Sequence, residues 1–214
     1  ERREATERPR GLAFFRPFLT VRWMALLSAG LLGGAALAPT TTFLYLYLAE
    51  RGAAVGAIGV ALAIATLSEI PVMFLASRWM ERVRPRVLLL TALGVFALRA
   101  LLYGTLQTTV GLVAVQLLHG PSFALLVVAG VGRADRLAVP GRRATGQALF
   151  SASLMGMGGV IGSLGGGALY GAFGPQRLYL IVAVVLAVPA LIVFNVAMAL
   201  LWAIVSTLVN ALRG

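Results

Sequence analysis

The chain has 214 residues, of which 60% are hydrophobic and 12% are charged, and its formal net charge is +11. Soluble domains carry about 25% charged residues, so the composition excludes an ordinary globular protein and predicts an integral membrane protein. The sequence has no cysteine, and therefore neither a disulfide framework nor a thiolate metal site is expected.

Apolar residues gather in six long segments. Segments 1 to 6 cover residues 23–48, 54–76, 87–104, 110–132, 144–172 and 178–200. A helix needs about 20 predominantly apolar residues to cross a hydrocarbon core of roughly 30 Å. Because the six segments nearly fill the chain, we expect an all-α integral membrane fold of six transmembrane helices without a soluble domain.

Arginine supplies all 18 basic residues. Most of them lie before segment 1, between segments 2 and 3, and between segments 4 and 5. Retained loops keep arginine and translocated loops avoid it, so we expect a multi-pass protein of the cell inner (plasma) membrane with both termini in the cytoplasm. Tyrosines, whose amphipathic rings favour the headgroup level, lie near the opposite ends of the segments: Tyr45, Tyr47, Tyr103, Tyr170 and Tyr179.

The regions that flank the segments are assigned from the same pattern. Residues 1–22 are predicted to form a basic cytoplasmic linker that lies partly in the interface. Residues 23–200 form the transmembrane domain, and residues 201–214 form a C-terminal extension. The positive charge predicts contact with anionic headgroups of the lipid bilayer and not with nucleic acid.

Polar residues interrupt the first three segments. In segment 1, Pro39 follows several glycines and predicts a kink. Glu69 in segment 2 and Arg99 in segment 3 are costly within a span, by about 2.5–3.5 kcal/mol on insertion scales, and such groups usually face the bundle interior or a water-filled cavity. The simplest prediction pairs Glu69 with Arg99. That pair is either a proton acceptor controlled by the arginine or a permanent structural ion pair.

Segment 4 contains Gln116 and His119. Imidazole titrates near neutral pH, so His119 is a candidate for proton transfer or substrate binding; the alternative is a hydrogen-bonding group satisfied by Gln116, one turn away. The sequence offers no second histidine, no cysteine and no carboxylate cluster, so we expect no metal site. It shows no nucleophile–base pair, and neither an enzyme nor a cofactor is predicted.

Segment 5 is rich in glycine. Gly158, Gly162 and Gly166 recur every four residues and predict one helix face that permits close backbone approach. This face is either a sliding contact in a conformational cycle or a static packing surface.

Four stretches, taken in order, carry a resemblance to a known family. They are residues 68–74 (SEIPVMF), 98–101 (LRAL), 117–120 (LLHG) and 166–175 (GGALYGAFGP). With them the chain resembles the C-terminal half of a major facilitator superfamily transporter, in the branch that holds lactose permease and the phenylpropionate-permease-like proteins. The resemblance implies half of that fold, built from two three-helix repeats.

The resemblance also implies roles for individual residues. Arg99 and His119 match positions of the proton-coupling network of lactose permease. Two positions depart from that branch: Ser122 stands where a carboxylate is expected, and the substrate-contacting glutamate aligns closer to Thr66 than to Glu69.

A cytoplasmic gating loop is implied between segments 2 and 3. Glu81 and Arg82 fit the family pattern Gly-x-x-x-Asp-Arg-x-Gly-Arg-Arg, whereas Ser77, Arg84 and Pro85 do not.

Two functions follow as hypotheses. The first is half of a secondary, proton-coupled transporter that moves a small organic solute by alternating access. Its cavity would need a second six-helix half, from a separate chain, a missing N-terminal part or a homodimer. The second is a non-transporting half-transporter subunit that acts as a scaffold or accessory protein in a larger membrane complex.

Overall fold

The structure is a computed structural model that describes the backbone of residues 15–213 and the side chains of residues 15–188 other than residue 77. The first part of the predicted linker and the side chains of the predicted C-terminal extension lie outside these described residues. The regular structure described is helical throughout. It comprises Arg16–Phe18 (3-10), Val21–Thr40, Thr42–Glu50, Val55–Arg82, Pro85–Thr105, Thr109–Ala114, Val115–Leu118 (3-10), Gly120–Ala124 (π), Leu125–Leu137, Arg143–Ser151, Ala152–Gly158 (π) and Gly159–Arg213.

Five helical runs of the described residues are long and apolar enough to cross a membrane. The first four, spans 1 to 4, are Val21–Glu50, Val55–Arg82, Pro85–Thr105 and Thr109–Leu137. The last helical run starts at Arg143 and is too long for one crossing, and it is interrupted at Gly174, where φ is 78° and ψ is 172°. Span 5 is therefore residues 143–173, and span 6 begins at residue 175. With the fifth run divided at Gly174, the predicted six-helix fold is confirmed.

Contacts on both sides of Gly174 show that the chain reverses direction there. The phenol of Tyr170, in span 5, donates a hydrogen bond of 2.7 Å to Glu50 at the end of span 1. Three residues after the turn, Arg177 begins the return, and Leu186 packs in the apolar cluster that contains Trp23 from the beginning of span 1. Only glycine adopts this backbone conformation without strain.

The spans pack in pairs that agree with a repeat of three helices. Span 1 packs against span 5 and span 2 against span 4. Span 3 packs against span 6, where Gly104 lies against Leu180 and the ring of Tyr103 against that of Tyr179. If spans 4, 5 and 6 repeat spans 1, 2 and 3, span 1 corresponds to span 4, span 2 to span 5 and span 3 to span 6. The contact between spans 1 and 5 then corresponds to the contact between spans 4 and 2, and the contact between spans 3 and 6 corresponds to itself. The packing therefore has the pseudo-symmetry expected of two three-helix repeats.

Close backbone approach makes the contact between spans 1 and 5 possible. A Cβ atom at Gly158 would lie 2.8 Å from the carbonyl oxygen of Leu31, and one at Gly162 would lie 2.5 Å from that of Ala35. A Cβ atom at Gly166 would lie 2.9 Å from the ring of Phe43. The three glycines thus form one face of span 5, directed at span 1.

Two apolar clusters fill the bundle. The arginine-rich side, the end at which spans 1 and 3 begin, contains the cluster with Phe18, Trp23, Leu26 and Phe150. The opposite side contains the cluster with Leu44, Tyr47, Tyr103, Leu112 and Tyr179. Buried polar side chains lie between the two clusters and are described below.

The structure differs from two expectations about the edges of the bundle, although the gating role expected of Glu81 and Arg82 stays a prediction. Span 2 continues to Arg82, so Glu81 and Arg82 are exposed residues of its last turn, and the connection to span 3 is only Val83 and Arg84. In addition, Tyr103 and Tyr179 are completely buried. They lie near the predicted end of the bundle but pack inside it, their rings 5.3 Å apart, and do not form part of a lipid-facing belt.

Candidate polar site between the apolar clusters

Spans 1 and 4 are both broken near the middle of the bundle. Span 1 breaks at Thr41, where the backbone leaves the helical region, which confirms the kink predicted at Pro39. Proline has no N–H and releases a carbonyl one turn earlier. The hydroxyls of Thr40 and Thr41 donate to the carbonyls of Ala36 and Leu37, each at 2.7 Å, and so satisfy backbone groups at the break.

The break in span 4 extends over residues 115–124, where a 3-10 turn is followed by a π-helical stretch. Pro121 lies inside this stretch and removes one backbone donor. The hydroxyl of Ser122 shares its proton between the carbonyls of Leu118 and His119, both at 2.9 Å. Irregular winding of this kind is frequent at functional sites.

Arg99, in span 3, lies between the two breaks and is completely buried. One terminal nitrogen, Nη1, donates to Ser122 Oγ at 2.8 Å. The other, Nη2, donates to Gln116 Oε1 at 3.0 Å and, at 3.4 Å, to the carbonyl of Thr40 and to the hydroxyl of Tyr103. The guanidinium therefore joins span 3 to both broken spans through neutral acceptors.

Gln116 extends this network towards the opposite side. Its Oε1 atom accepts a second hydrogen bond, from the hydroxyl of Tyr103 at 3.0 Å, and its Nε2 atom donates to the hydroxyl of Tyr45 at 3.4 Å. Gln116 is completely buried, whereas Tyr45 is half-buried. A continuous polar path thus leads from Arg99 to the edge of the bundle.

Glu69 and His119 form the second polar pair. The Nε2 atom of His119 lies 3.1 Å from Oε1 of Glu69, and their side chains are 8% and 21% exposed. The expected pairing of Glu69 with Arg99 was wrong, as was that of His119 with Gln116. Span 2 is longer than its apolar segment, so Glu69 lies at the middle of the span, level with His119.

Spans 2 and 4 touch through their backbones beside this pair. A Cβ atom at Gly120 would collide with the carbonyl of Ser68, so only glycine allows the crossing. The N–H of Gly120 donates to Ser68 Oγ at 2.8 Å, and that hydroxyl donates to the carbonyl of Ala65 at 2.6 Å. One backbone donor freed by the break in span 4 is therefore satisfied by span 2.

Two buried nitrogen atoms of the site have no hydrogen-bond partner among the described residues: Nε of Arg99 and Nδ1 of His119. Buried polar atoms are normally paired, and exceptions mark sites of function or of bound water. In the described part of the chain, no three His, Asp or Glu side chains gather as a metal site would require. The arrangement can keep the guanidinium of Arg99 away from water, and a proton can pass between the carboxylate of Glu69 and the imidazole of His119.

Sequence reasoning found four members of the site and missed others. Tyr103 lies four residues after Arg99, on the same helix face, and this spacing could have identified it. Thr40 contributes a backbone carbonyl, and Ser68 acts through its neighbour Gly120; no sequence signal indicates either contact. Thr66 is exposed, and its hydroxyl returns to the carbonyl of Leu62 in its own helix at 3.1 Å.

The six spans, two of them broken, enclose a buried guanidinium and a carboxylate–imidazole pair. The protein is therefore a multi-pass membrane protein with an internal polar site. Residues 3–181 match the family described as the MFS_1 like family, where MFS denotes the major facilitator superfamily. The chain belongs to this family.

Comparison with solved structures shows the same fold. The chain is similar to the crystal structure of the nucleoside transporter NupG, with a TM-score of 0.70, 22% identity, and coverage of 88% of this chain and 53% of NupG. A variant of NupG gives a TM-score of 0.72 and 23% identity, and covers 89% and 54%. The chain therefore spans about half the length of NupG. No curated relative matches the chain.

Proposed function

We propose that the chain is the C-terminal six-helix half of a proton-coupled secondary transporter that moves a small organic solute by alternating access. The observation that supports this proposal is the buried polar layer between the two apolar clusters, where Arg99 joins two broken spans. Charged groups are retained inside a membrane bundle at a cost and mark solute or proton pathways. Discontinuous spans near the midplane are the usual place of binding in secondary transporters.

Glu69 and His119 are the proposed proton-carrying pair. Their contact at 3.1 Å allows one proton to pass between carboxylate and imidazole. Arg99 does not touch the carboxylate but lies in the same polar layer, where it donates to Ser122 and Gln116 of span 4. Because His119 lies on the same span, a shift of span 4 would move it relative to both Glu69 and Arg99.

The proposed cavity lies along the open side of span 2. Thr66 is exposed, and Glu69 is partly exposed on the same helix, three residues further on. A second six-helix half that covers this side would enclose both residues in a shared cavity. That half is a separate chain, another part of a longer protein or a second copy. The arginine distribution supports cytoplasmic ends for this half and a location in the inner membrane.

One observation favours the alternative, a non-transporting accessory subunit. Ser122 occupies the position at which the lactose-permease branch has a carboxylate, and its hydroxyl accepts a hydrogen bond from Arg99. Because Ser122 is neutral, Arg99 has no carboxylate partner at this position that could take up a proton. In this reading the polar layer fixes the packing of the spans and carries no solute.

Transport by the native particle in sealed vesicles tests the proposal. The vesicles contain a pH-sensitive dye, and a panel of nucleosides, glycosides and aromatic carboxylates is added outside. Nucleosides belong in the panel because NupG shares the fold. We expect one solute class to change the internal pH in wild-type vesicles and to have no such effect with Glu69→Gln, while Thr105→Ala, which removes an exposed hydroxyl outside the polar layer, retains proton movement. A native particle that contains no second six-helix half and moves no solute would instead establish the accessory subunit.

A further inference from the structure

A groove opens on the arginine-rich side between spans 1, 3 and 4. It has a volume of about 390 Å³. Arginines line one end of it: Arg22, Arg86 and Arg133. This groove is separate from the polar layer and takes no part in the function proposed above.

The three arginines come from three different spans. Arg22 and Arg86 are the second residues of spans 1 and 3, and Arg133 lies one turn before the end of span 4. Three guanidinium groups from three helices thus direct positive charge at one place.

None of these three charges is neutralised within the described residues. The ion pairs there are His119 with Glu69, and Arg143 with Asp135 at 3.7 Å. Arg22 and Arg86 are also close enough to Arg133 for their charges to repel it. Like charges held together without a carboxylate form a binding site for an anion.

Apart from Ser28, the rest of the groove is apolar and leads into the membrane. Its walls are Ala25, Ala29 and Leu32 of span 1 and Leu89, Leu90 and Leu93 of span 3. From Arg22 to Leu32 the wall extends about 15 Å along the helix, at roughly 1.5 Å per residue. A small free anion would make no contact with this apolar wall, whereas an acyl chain of a lipid matches the wall in length and is itself apolar.

We propose that this groove binds one anionic phospholipid, with its phosphate between Arg22, Arg86 and Arg133 and an acyl chain along spans 1 and 3. The charge distribution of the sequence predicts that this end faces the cytoplasmic leaflet, where anionic headgroups attract arginine. A phospholipid with one negative charge, such as phosphatidylglycerol, satisfies both the charged end and the apolar wall.

Native mass spectrometry of the purified protein provides the test. The protein is equilibrated in mixed micelles that contain equal amounts of phosphatidylglycerol and phosphatidylcholine, and the retained lipids are counted. We expect wild-type protein to retain one phosphatidylglycerol in preference to phosphatidylcholine. In the triple variant R22Q/R86Q/R133Q we expect this preference to fall about tenfold or more, since each basic residue near the surface adds to anionic lipid binding.

Two further variants separate this site from general charge and from folding. The control R78Q/R82Q/R84Q removes the same charge from exposed positions on the arginine-rich side and should retain the lipid. Ala25→Trp keeps all three arginines and fills the exposed wall of the groove, and should lose the lipid. Equal loss in both triple variants, or retention in Ala25→Trp, would overturn the proposal.

Competition with inorganic phosphate distinguishes the source of the anion. If the site holds a whole lipid, excess phosphate leaves phosphatidylglycerol in place, because phosphate cannot replace the acyl chain. Displacement of the lipid by phosphate alone would show an anion site without lipid specificity and would contradict the proposal.

Discussion

The imidazole of His119 and the carboxylate of Glu69 meet at 3.1 Å halfway along spans 4 and 2. The contact joins two spans from different three-helix repeats, directly beside the backbone crossing at Ser68 and Gly120. It also brings the one histidine of the sequence to a carboxylate inside the membrane. We therefore expect the stability of the bundle and the proposed function both to depend on how these two residues interact.

A double-mutant cycle measures this interaction. Glu69→Gln and His119→Gln should each destabilise the protein, and the double variant should be less destabilised than the sum, with a coupling of about 0.5–3 kcal/mol, as is usual for residues in contact. Thermal unfolding of the purified protein in detergent gives the three values. Thr66→Ser, combined with His119→Gln, serves as the additive control. Additivity of Glu69→Gln with His119→Gln would show that the contact contributes nothing.

Replacement of Arg99 by methionine should lower both stability and transport. Arg99→Met takes the donor away from Ser122 Oγ, from Gln116 Oε1 and from the carbonyl of Thr40, and a buried polar group left without its partner costs about 1–3 kcal/mol. We therefore expect the unfolding temperature of Arg99→Met to fall and transport to fall at least tenfold. Thermal unfolding and vesicle uptake are measured on one preparation. Lost stability with normal uptake would identify Arg99 as a structural residue only.

Two glycines of span 5 should respond in opposite ways to alanine. At Gly162 a Cβ atom would lie 2.5 Å from the carbonyl oxygen of Ala35, so Gly162→Ala should force spans 1 and 5 apart and cost about 1–3 kcal/mol. Gly165 has no atom within 4 Å of the added carbon, so Gly165→Ala should stabilise the helix by about 0.5–1 kcal/mol. The unfolding temperatures of the two variants are compared directly. The close contact of span 1 with span 5 is contradicted if the two substitutions have the same effect.

Removal of the Ser68 hydroxyl should destabilise the protein at the break in span 4. In Ser68→Ala the N–H of Gly120 loses its acceptor at 2.8 Å, and a buried donor without a partner costs about 1–3 kcal/mol. Thr66→Ala removes an exposed hydroxyl from the same span and should change stability by less than about 0.5 kcal/mol. Denaturation in detergent compares the two variants, and equal effects would argue against the contact between spans 2 and 4.

The six spans could be predicted from composition because each apolar segment is long and the connections are short. The kink of span 1 could also be predicted, since Pro39 removes a backbone donor wherever it occurs. The predicted end of span 2 was less accurate. Its last turn contains Glu81 and Arg82, and charged residues of this kind do not extend an apolar segment even where the backbone stays helical. In the structure that turn is helical and solvent-exposed.

The residues of the polar site could be listed from the sequence, but their partners could not. Glu69, Arg99, Gln116 and His119 are conspicuous because they are polar within apolar segments. Which of them meet depends on helix length and on the depth of each residue. Extending span 2 by six residues, from 76 to Arg82, moves Glu69 from near one end to the middle and so changes its partner from Arg99 to His119. The contribution of Thr40 is a backbone carbonyl, which any residue possesses.

Arg99 touches the break of span 1 through the carbonyl of Thr40 and the break of span 4 through the hydroxyl of Ser122. A bend at one break without the other would strip hydrogen bonds from a fully buried cation, at a cost of about 1.5–3 kcal/mol for each bond to a charged group. If the half changes shape as the proposed function requires, we therefore expect the two breaks to move together in a single step, with intermediates in which only one span bends sparsely populated.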